Sequence, residues 1–219
     1  MSGAISHANV AADFKINDSL VYAGAKRVFD VVVGIVALVL LIPIFPAIAL
    51  MIKLDTRGPI FFKQDRIGRN GKAFKFYKFR SMLHGADEQK KALAHQNEQE
   101  GPIFKIRSDP RVTTVGRFLR RSSLDEIPQI LNVIKGDMSV VGPRPPLPSE
   151  VAGYQPWHRR RLEVKPGITC LWQISGRSHI GFNEWMRLDM EYLKTRSFRA
   201  DLLIFLKTIP AVIARKGAY

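Results

Sequence analysis

A long apolar run near the N-terminus dominates the hydropathy pattern. Residues 31–52 read VVVGIVALVLLIPIFPAIALMI, 22 positions without a charged side chain, which is enough for a transmembrane helix. Pro43 and Pro46 lie inside the run, and each removes a main-chain donor, so we predict a break near residues 42–46. The piece before the break would rise only ~18 Å, well short of the ~30 Å hydrocarbon core.

Basic residues flank this run on both sides. Lys26 and Arg27 precede it, and Lys53 and Arg57 follow it. The positive-inside rule places basic flanks on the cytoplasmic side of a membrane. A helix–break–helix that enters and leaves one leaflet satisfies both flanks. A kinked helix that spans the bilayer satisfies only one of them, and the pattern alone leaves both arrangements open.

After the apolar run the pattern changes to shorter, mixed stretches. Residues 59–82 hold β-prone aromatic stretches on either side of Asn70-Gly71, which is the strongest short signal for a β-hairpin. Residues 84–101 are polar and helix-prone. Residues 111–121 combine basic side chains with apolar ones at helical spacing and predict an amphipathic helix.

Two more helices are predicted near the C-terminus. Apolar side chains recur at helical spacing over residues 182–193, with Asp189 on the same stripe, and residues 200–214 suit a short interfacial helix. The whole pattern predicts an α/β, mainly helical fold. We divide it into an N-terminal arm, a re-entrant membrane helix hairpin and a cytosolic or interfacial domain, at residues 1–25, 26–56 and 57–219.

The charge balance narrows the class of partner. Thirty-four Lys and Arg against 19 Asp and Glu give a formal net charge of +15. Such an excess indicates an anionic partner: nucleic acid, anionic lipid headgroups or a phosphorylated substrate. A long uncharged apolar run does not fit a nucleic-acid-binding module, so we expect no nucleic acid partner. Cys170 is the single cysteine, and we expect a buried, inert thiol.

Adjacent carboxylates stand in the stretch RRSSLDEIP. Ser123 to Glu126 matches a capping box, in which both side chains bond main-chain N–H groups at a helix start. Pro128 would then fall at the fifth helical position, where its missing N–H is needed. A helix start near Ile127 would instead leave Asp125 and its neighbour on the preceding turn. The stretch alone supports capping and chemistry about equally.

Basic side chains around the pair favour chemistry. Arg117, Arg120, Arg121 and Arg144 bracket it, and guanidinium groups match phosphate oxygens in bidentate geometry. A carboxylate can act as a nucleophile on phosphorus, and a neighbouring carboxylate can hold magnesium together with substrate phosphates. Asp137, in the GDMS turn, is a further candidate metal ligand.

Five motifs distributed along the chain carry a family resemblance: KRVFD, FYKFRSM, RSSLDEIPQILNVIKGDMSVVGPRP, VKPGITCLWQISGR and RKGAY. Together they resemble the bacterial sugar transferase family, the monotopic polyprenyl-phosphate phosphoglycosyl transferases. The resemblance covers about Lys26 to Tyr219, and the compact size is similar to the minimal catalytic form. It identifies residues 57–219 as a phosphoglycosyl transferase domain.

The resemblance implies a reaction between a soluble and a lipid substrate. Such enzymes transfer a sugar-1-phosphate from a nucleotide sugar, expected to be a UDP-sugar, to a polyprenyl phosphate, usually undecaprenyl phosphate. They release the nucleoside monophosphate, and the product initiates polysaccharide or glycoconjugate assembly, such as exopolysaccharide or O-antigen. Glucose and galactose both stay open as the sugar.

Residue roles follow from the motifs. The resemblance implies that Asp125 is the nucleophile on the sugar-bearing phosphorus. It implies that Glu126 is a magnesium partner and the base for the lipid phosphate, with Mg²⁺ as the cofactor. The basic positions that we expect to bind phosphates or the nucleotide are Lys78, Arg80, Arg120, Arg121 and Arg144.

The family's first helix is re-entrant, in agreement with the basic flanks. Its minimal members often have Ser-Pro at the break, whereas this chain has Ile42-Pro43. An isoleucine side chain cannot bond a freed carbonyl, so we expect Pro46 to contribute to the bend.

We therefore expect an enzyme on the cytoplasmic face of a bacterial inner membrane, in contact with membrane lipid. Its expected partners are a nucleotide sugar and a polyprenyl phosphate, and its C-terminal helices are compatible with a homodimer. The rival interpretation is a non-catalytic basic protein that binds or scaffolds the membrane surface. Such a protein would bind liposomes in a salt-sensitive way without magnesium-dependent turnover.

Overall fold

The computed structural model describes residues 14–99, 101–175 and 180–213. Most of the predicted arm and the terminal RKGAY motif lie outside these ranges. The described chain is mainly helical with two small sheets. Its helices are α1 (Leu20–Leu41), α2 (Phe45–Asp55), α3 (Thr114–Arg121), α4 (Ile130–Lys135), α5 (Pro148–Ala152), α6 (Pro156–Arg159), α7 (Leu171–Ser175), α8 (Phe182–Thr195) and α9 (Phe198–Ile213). Its strands are β1 (Phe61–Ile67), β2 (Ala73–Phe79), β3 (Ser139–Val141) and β4 (Gly167–Thr169).

The predicted break separates α1 from α2. Ser19 caps α1 by accepting a hydrogen bond from the Tyr22 amide at 3.3 Å, so the helix begins six residues before the predicted boundary. A 3-10 turn at Ile42–Ile44 follows α1. Pro46 lies in the first turn of α2, where its missing N–H leaves no hydrogen bond unmade. The 3-10 turn interrupts the α-helical pattern inside the predicted range, and a membrane break at Pro43 and Pro46 stays a prediction.

The combined stretch Leu20–Asp55 is, among the described residues, the one helical stretch long and apolar enough to cross a membrane. Only 11% of its most apolar 18-residue window is buried inside the protein. Ala37 and Leu38, before the break, pack on the same hydrophobic cluster as Ile48 and Ile52, after it. The two helices therefore reach one part of the core from both sides of the break.

Polar side chains on one face of α1 attach it to the rest of the protein. Asp30 accepts hydrogen bonds from Ser139 Oγ and from the Val140 amide, both at 2.9 Å. Lys26 forms an ion pair with Asp201 of α9 at 2.8 Å. The N-terminal half of α1 is therefore fixed to β3 and α9.

The strands β1 and β2 form the predicted hairpin. They pair in antiparallel register, with Phe61 opposite Phe79 at the open end. Asn70 and Gly71 have φ angles of 57° and 76°, the left-handed conformations that a tight turn requires. Phe79 is fully buried, so the end of β2 packs in the core.

Helices α1, α4 and α9 pack against a short parallel pairing of β3 with β4, which the hydropathy pattern did not indicate. Both C-terminal helices are confirmed as α8 and α9. The amphipathic helix predicted over residues 111–121 forms from Thr114, with Thr113 as its N-cap. The polar stretch at residues 84–101 contains short 3-10 turns in its described part. Cys170 is buried.

Candidate active site

Asp125 and Glu126 lie on a 3-10 turn, Leu124–Gln129, immediately before α4. Ser123 adopts a left-handed conformation with a φ of 57°, and its side chain forms no capping hydrogen bond. Pro128, inside the turn, has no N–H to continue an α-helix from Ser123. The capping-box interpretation is therefore wrong. The carboxylates occupy the turn before the helix, as the alternative interpretation predicted. The helix itself, α4, begins at Ile130, three residues after the predicted start near Ile127.

The core holds this turn against β2 and α3. Ile127 packs with Phe79 in one hydrophobic cluster. Gly116 of α3 has no room for a side chain, because an added Cβ would lie 2.0 Å from Ser81 O, just beyond β2. This close approach brings Arg120 Nε to 2.9 Å from Ser81 Oγ. The carboxylate pair and Arg120 are thus fixed relative to one another.

The carboxylate pair lines a cleft with a volume of about 1020 Å³. Asp125 is 6% exposed, and Glu126 is partly buried. Basic side chains from separate parts of the chain share the lining: Arg66, Lys78, Lys105, Arg120 and Arg144. Both signs of charge therefore meet inside one concave site.

The cations of the cleft destabilise one another's charge. Burial and the nearby Arg120 lower the pKa of Lys78 to about 8. Burial and the nearby Arg144 lower the pKa of Lys105 to about 8. An anion that enters the cleft therefore gains attraction to several cations and relieves their mutual repulsion. The charge distribution is that of an anion-binding site.

Glu126 is suited to proton transfer. Burial, followed by the neighbouring Asp125 carboxylate, raises the pKa of Glu126 to about 7, while Lys78 and Arg144 act in the opposite direction. A group whose pKa lies near neutrality can both accept and release a proton at physiological pH. Acids perturbed in this way within a cleft are typical of catalytic sites.

Part of the cleft lining is apolar. Leu41, the last residue of α1, lines the cleft together with Phe61, Ile168 and Val212. The cleft therefore extends from the carboxylate pair to the break in the long apolar helix. Its shape and chemistry fit a ligand that joins a phosphate group to an apolar chain.

Arg80 lines the cleft, but the structure also gives it a second task. Its guanidinium donates to the carbonyls of Ile52, Thr56 and Arg57 at 3.4, 2.7 and 2.6 Å. The carbonyls of Thr56 and Arg57, just after α2, thereby gain a donor, whereas Ile52 O also accepts from the Thr56 amide at 3.2 Å. Gly58, with a φ of 125°, leaves room for it, since an added Cβ would lie 2.0 Å from Arg80 Nη1. The phosphate-binding role of Arg80 stays a prediction.

The structure does not bring two other predicted residues to the carboxylate pair. Arg121 is exposed and does not line the cleft, because one residue along a helix turns the side chain by about 100° from Arg120. Asp137 does not line it either, because α4 separates it from the pair. Its carboxylate accepts a hydrogen bond from Asn132 Nδ2 at 3.2 Å.

Several cations of the cleft lining were not among the predicted residues, and Arg66 and Lys105 are two of them. Strand alternation about the Asn70-Gly71 turn places Arg66 on the same face as Lys78, so the hairpin register contained that signal. Lys105 lies in an irregular segment, where no periodicity reports which way a side chain points.

The carboxylate pair fits a magnesium ion that is shared with a substrate. Mg²⁺ is usually bound by one or two carboxylates, substrate phosphates and water. Asp125 and Glu126 supply two carboxylates beside the cations that attract phosphate. Within the described ranges, no three or more His, Cys, Asp or Glu side chains converge on one metal position.

Known proteins provide the comparison for this site. The family model described as bacterial sugar transferase matches residues 21–215. The chain is 46% identical over 197 residues to the galactosyl transferase CpsE of Streptococcus agalactiae, covering 89% of this chain and 43% of that protein. It is 44% identical over 199 residues to the exopolysaccharide production protein ExoY of Rhizobium meliloti, covering 89% of this chain and 88% of that protein.

A third relative has a more explicit name. The chain is 41% identical over 202 residues to the undecaprenyl-phosphate galactose phosphotransferase of Salmonella typhimurium, covering 89% of this chain and 41% of that protein. The chain thus spans less than half the length of two of these relatives and most of the third. Because the family model matches nearly its whole length, the chain belongs to the bacterial sugar transferase family.

Proposed function

We propose that this protein transfers a hexose-1-phosphate from a UDP-sugar to undecaprenyl phosphate at the cytoplasmic face of a bacterial inner membrane. The observation that carries the proposal is the Asp125–Glu126 pair in a cleft that connects several cations to the end of an apolar helix. Relatives named undecaprenyl-phosphate galactose phosphotransferase and undecaprenyl-phosphate glucose phosphotransferase support the substrate class. The transferred sugar is accordingly galactose or glucose, and the product enters exopolysaccharide assembly.

In the first half-reaction, a carboxylate oxygen of Asp125 attacks the phosphorus that carries the sugar. A P–O bond forms to Asp125, the bond from that phosphorus to the bridging oxygen breaks, and UMP leaves with the bonding electron pair. Lys78, Arg120 and Arg144 bind the diphosphate oxygens and stabilise the charge that develops on the leaving group. The enzyme then carries an aspartyl phosphosugar.

In the second half-reaction, an oxygen of the lipid phosphate attacks the same phosphorus. The new P–O bond forms as the bond to Asp125 breaks, and the carboxylate is regenerated. Phosphate monoesters lose their second proton near pH ~6, so Glu126, with a pKa of about 7, is matched to accept that proton. Leu41 and Phe61 contact the first part of the isoprenoid chain. The product is an undecaprenyl diphosphate sugar.

Asp125 and Glu126 would hold the magnesium ion together with the diphosphate of the nucleotide sugar. Bound there, Mg²⁺ supplies charge neutralisation on phosphate oxygens. The cations of the cleft perform the same task from the protein side. Their arrangement around the carboxylate pair keeps two negatively charged groups, the nucleophile and the diphosphate, close enough to react.

We also propose that α1 and α2 form a re-entrant helix. The first half of α1 is attached to β3 and α9, and Gly34 packs against Ile134, 3.0 Å from where its Cβ would be. Beyond Gly34, α1 continues for seven residues to Leu41, which rise only ~10 Å. That length cannot cross a hydrocarbon core of ~30 Å. The packing of both helices on one cluster supports a return to the same side.

The test is a UMP-release assay with purified protein, undecaprenyl phosphate, Mg²⁺ and a panel of UDP-sugars. Asp125→Asn should keep membrane binding but release no UMP. Intact-protein mass spectrometry with UDP-hexose and no lipid acceptor should show a phosphohexose adduct on the wild type and none on Asp125→Asn. Asp65→Asn, at an exposed carboxylate of the hairpin outside the cleft lining, is the matched control.

Two results would contradict the proposal. Full turnover by Asp125→Asn would exclude Asp125 as the nucleophile. Salt-sensitive liposome binding without UMP release from any UDP-sugar would instead favour the non-catalytic membrane-surface binder.

A further inference from the structure

Arg144 lies in the segment GPRPP, residues 142–146, and every residue of that segment has a main-chain hydrogen bond to a partner outside it. Three of the five residues are prolines, which fix φ and offer no N–H, so the segment depends on donors brought to its carbonyls. The bonds on either side of Arg144 run from Gly142 N to Thr169 O (2.9 Å), Gly167 N to Pro143 O (2.9 Å), Arg66 Nη1 to Pro145 O (3.0 Å) and Ile67 N to Pro146 O (2.9 Å).

The carbonyl of Arg144 itself accepts a hydrogen bond from a buried arginine. Arg161 Nη2 donates to Arg144 O at 2.9 Å. The same guanidinium lies 2.7 Å from the Asp189 carboxylate and donates from Nη1 to Tyr154 Oη at 2.5 Å. The side chains of Arg161 and Asp189 are 0% and 1% exposed. Asp189, the charged residue on the apolar stripe of α8, therefore has its partner here.

Stability alone does not account for this buried ion pair. The cost of removing two charges from water offsets most of their attraction, so apolar side chains of similar size would stabilise the fold about as well. Apolar side chains cannot donate a hydrogen bond to Arg144 O. The planar guanidinium can donate to that carbonyl from Nη2 while its charge pairs with Asp189, because its N–H groups have fixed directions.

The side chain of Arg144 is related to the same pair through Trp185. The Cζ atom of Arg144 lies 5.5 Å from the centre of the Trp185 ring, and the Cζ atom of Arg161 lies 5.1 Å from it. Trp185 and Asp189 are four residues apart on α8 and share one face of the helix. Both the main chain and the side chain of Arg144 therefore depend on the place of the Arg161–Asp189 pair.

We infer that Arg161 and Asp189 are positioning residues that hold Arg144 so that its guanidinium meets the diphosphate of the nucleotide sugar. The identity of that ligand rests on the proposed function. Neither residue needs to touch the substrate, since Arg161 acts through Arg144 O and Asp189 acts through Arg161. A displacement of Arg144 by about 1 Å would misalign its bidentate contacts and cost roughly 100-fold in rate.

The experiment is a double-mutant cycle between Arg144 and the buried pair. Arg161→Met/Asp189→Leu replaces the pair with apolar side chains of similar size, so the protein should fold, with a Tm lowered only by the hydrogen bonds lost at Arg144 O and Tyr154 Oη. We expect kcat/KM for the UDP-sugar to fall roughly 10- to 100-fold. Arg144→Ala should cause a similar loss, and adding the apolar swap to Arg144→Ala should cause no further loss.

Losses that multiply in the combined variant would overturn the inference, because a general structural defect does not depend on Arg144. Unchanged kcat/KM in the apolar swap would overturn it as well. If the swap does not fold, Arg161→Lys takes its place in the cycle, since it keeps the charge but loses the planar donor geometry. A wild type that releases no UMP refutes the proposed function instead, and the same cycle is then decided by calorimetric affinity for UDP.

Discussion

Replacing Glu126 with glutamine should stabilise the protein while it removes the proposed base. Burial and the Asp125 carboxylate raise the pKa of Glu126 from 4.5 to about 7 in the folded state. The folded protein therefore holds this proton more tightly than the unfolded chain does. The resulting stabilisation is fully present below pH 4.5 and is lost as the pH rises to about 7. At pH 8 the wild type folds with an ionised Glu126, whereas glutamine stays neutral.

The magnitude follows from the size of the pKa change. A change of one in pKa corresponds to ~1.36 kcal/mol, so the rise in the pKa of Glu126 from 4.5 to about 7 corresponds to about 3 kcal/mol. We expect the Glu126→Gln variant to gain up to about 3 kcal/mol in unfolding free energy at pH 8. The gain should disappear near pH 4, where the wild-type carboxyl group is protonated in both states.

The assay is urea unfolding in detergent and EDTA at pH values from 4 to 8, together with UMP release in the presence of Mg²⁺. Glu184→Gln, at an exposed carboxylate of α8 outside the cleft lining, is the matched control for the loss of one carboxylate. A Glu126→Gln variant that is no more stable than the wild type at pH 8, or whose gain does not vary with pH, would refute the reasoning.

Three further predictions concern single side chains. Because the pKa of Lys78 is lowered to about 8, KM for the UDP-sugar should rise as the pH passes 8. Lys78→Arg should move that rise to higher pH, since arginine stays charged. A rise in KM at the same pH in the variant and the wild type would exclude Lys78 from phosphate binding. Arg80→Ala leaves the carbonyls of Thr56 and Arg57 without this donor and should lower the unfolding free energy, measured in urea, by about 2 kcal/mol. Arg80→Lys should recover part of that loss. Unchanged stability with a raised KM would instead make Arg80 a phosphate ligand. Asp30→Ala removes the acceptor for Ser139 Oγ and the Val140 amide and should lower the unfolding free energy by about 3 kcal/mol. Asp30→Asn keeps an acceptor and should lower it by less. Equal losses in the two variants would show that the two hydrogen bonds contribute little.

The sequence predicted those parts of the fold that local chemistry specifies. Asn70-Gly71 specifies the hairpin turn, because few residues adopt two left-handed conformations in succession. Pro43 and Pro46 specify the break between α1 and α2. The pairing of β3 with β4 escaped prediction because three-residue strands that are far apart in sequence leave no local pattern.

The sequence predicted most of the residue types in the candidate site, but it predicted their spatial arrangement less well. The motif identified Asp125 and Glu126, but Ser123 in a left-handed conformation decides that the pair lies on a 3-10 turn. Arg161 stands in the basic stretch PWHRRR, which resembles an exposed interface in sequence, and yet its side chain is 0% exposed. Only Asp189, on an otherwise apolar stripe, indicated that a buried partner was required.

The attachment of α1 to β3 connects the proposed membrane helix to the phosphate-binding side of the cleft. Asp30 and Lys26 bond the main chain of Val140 and Val141, and Arg144 follows only three residues after Val141. The intervening segment is bonded at every residue, so no flexible link separates the proposed membrane helix from Arg144. Under the proposed function, this connection keeps the distance between the membrane helix and the phosphate-binding Arg144 constant. The buried polar face of α1 would then set the distance between the membrane and the reacting phosphorus.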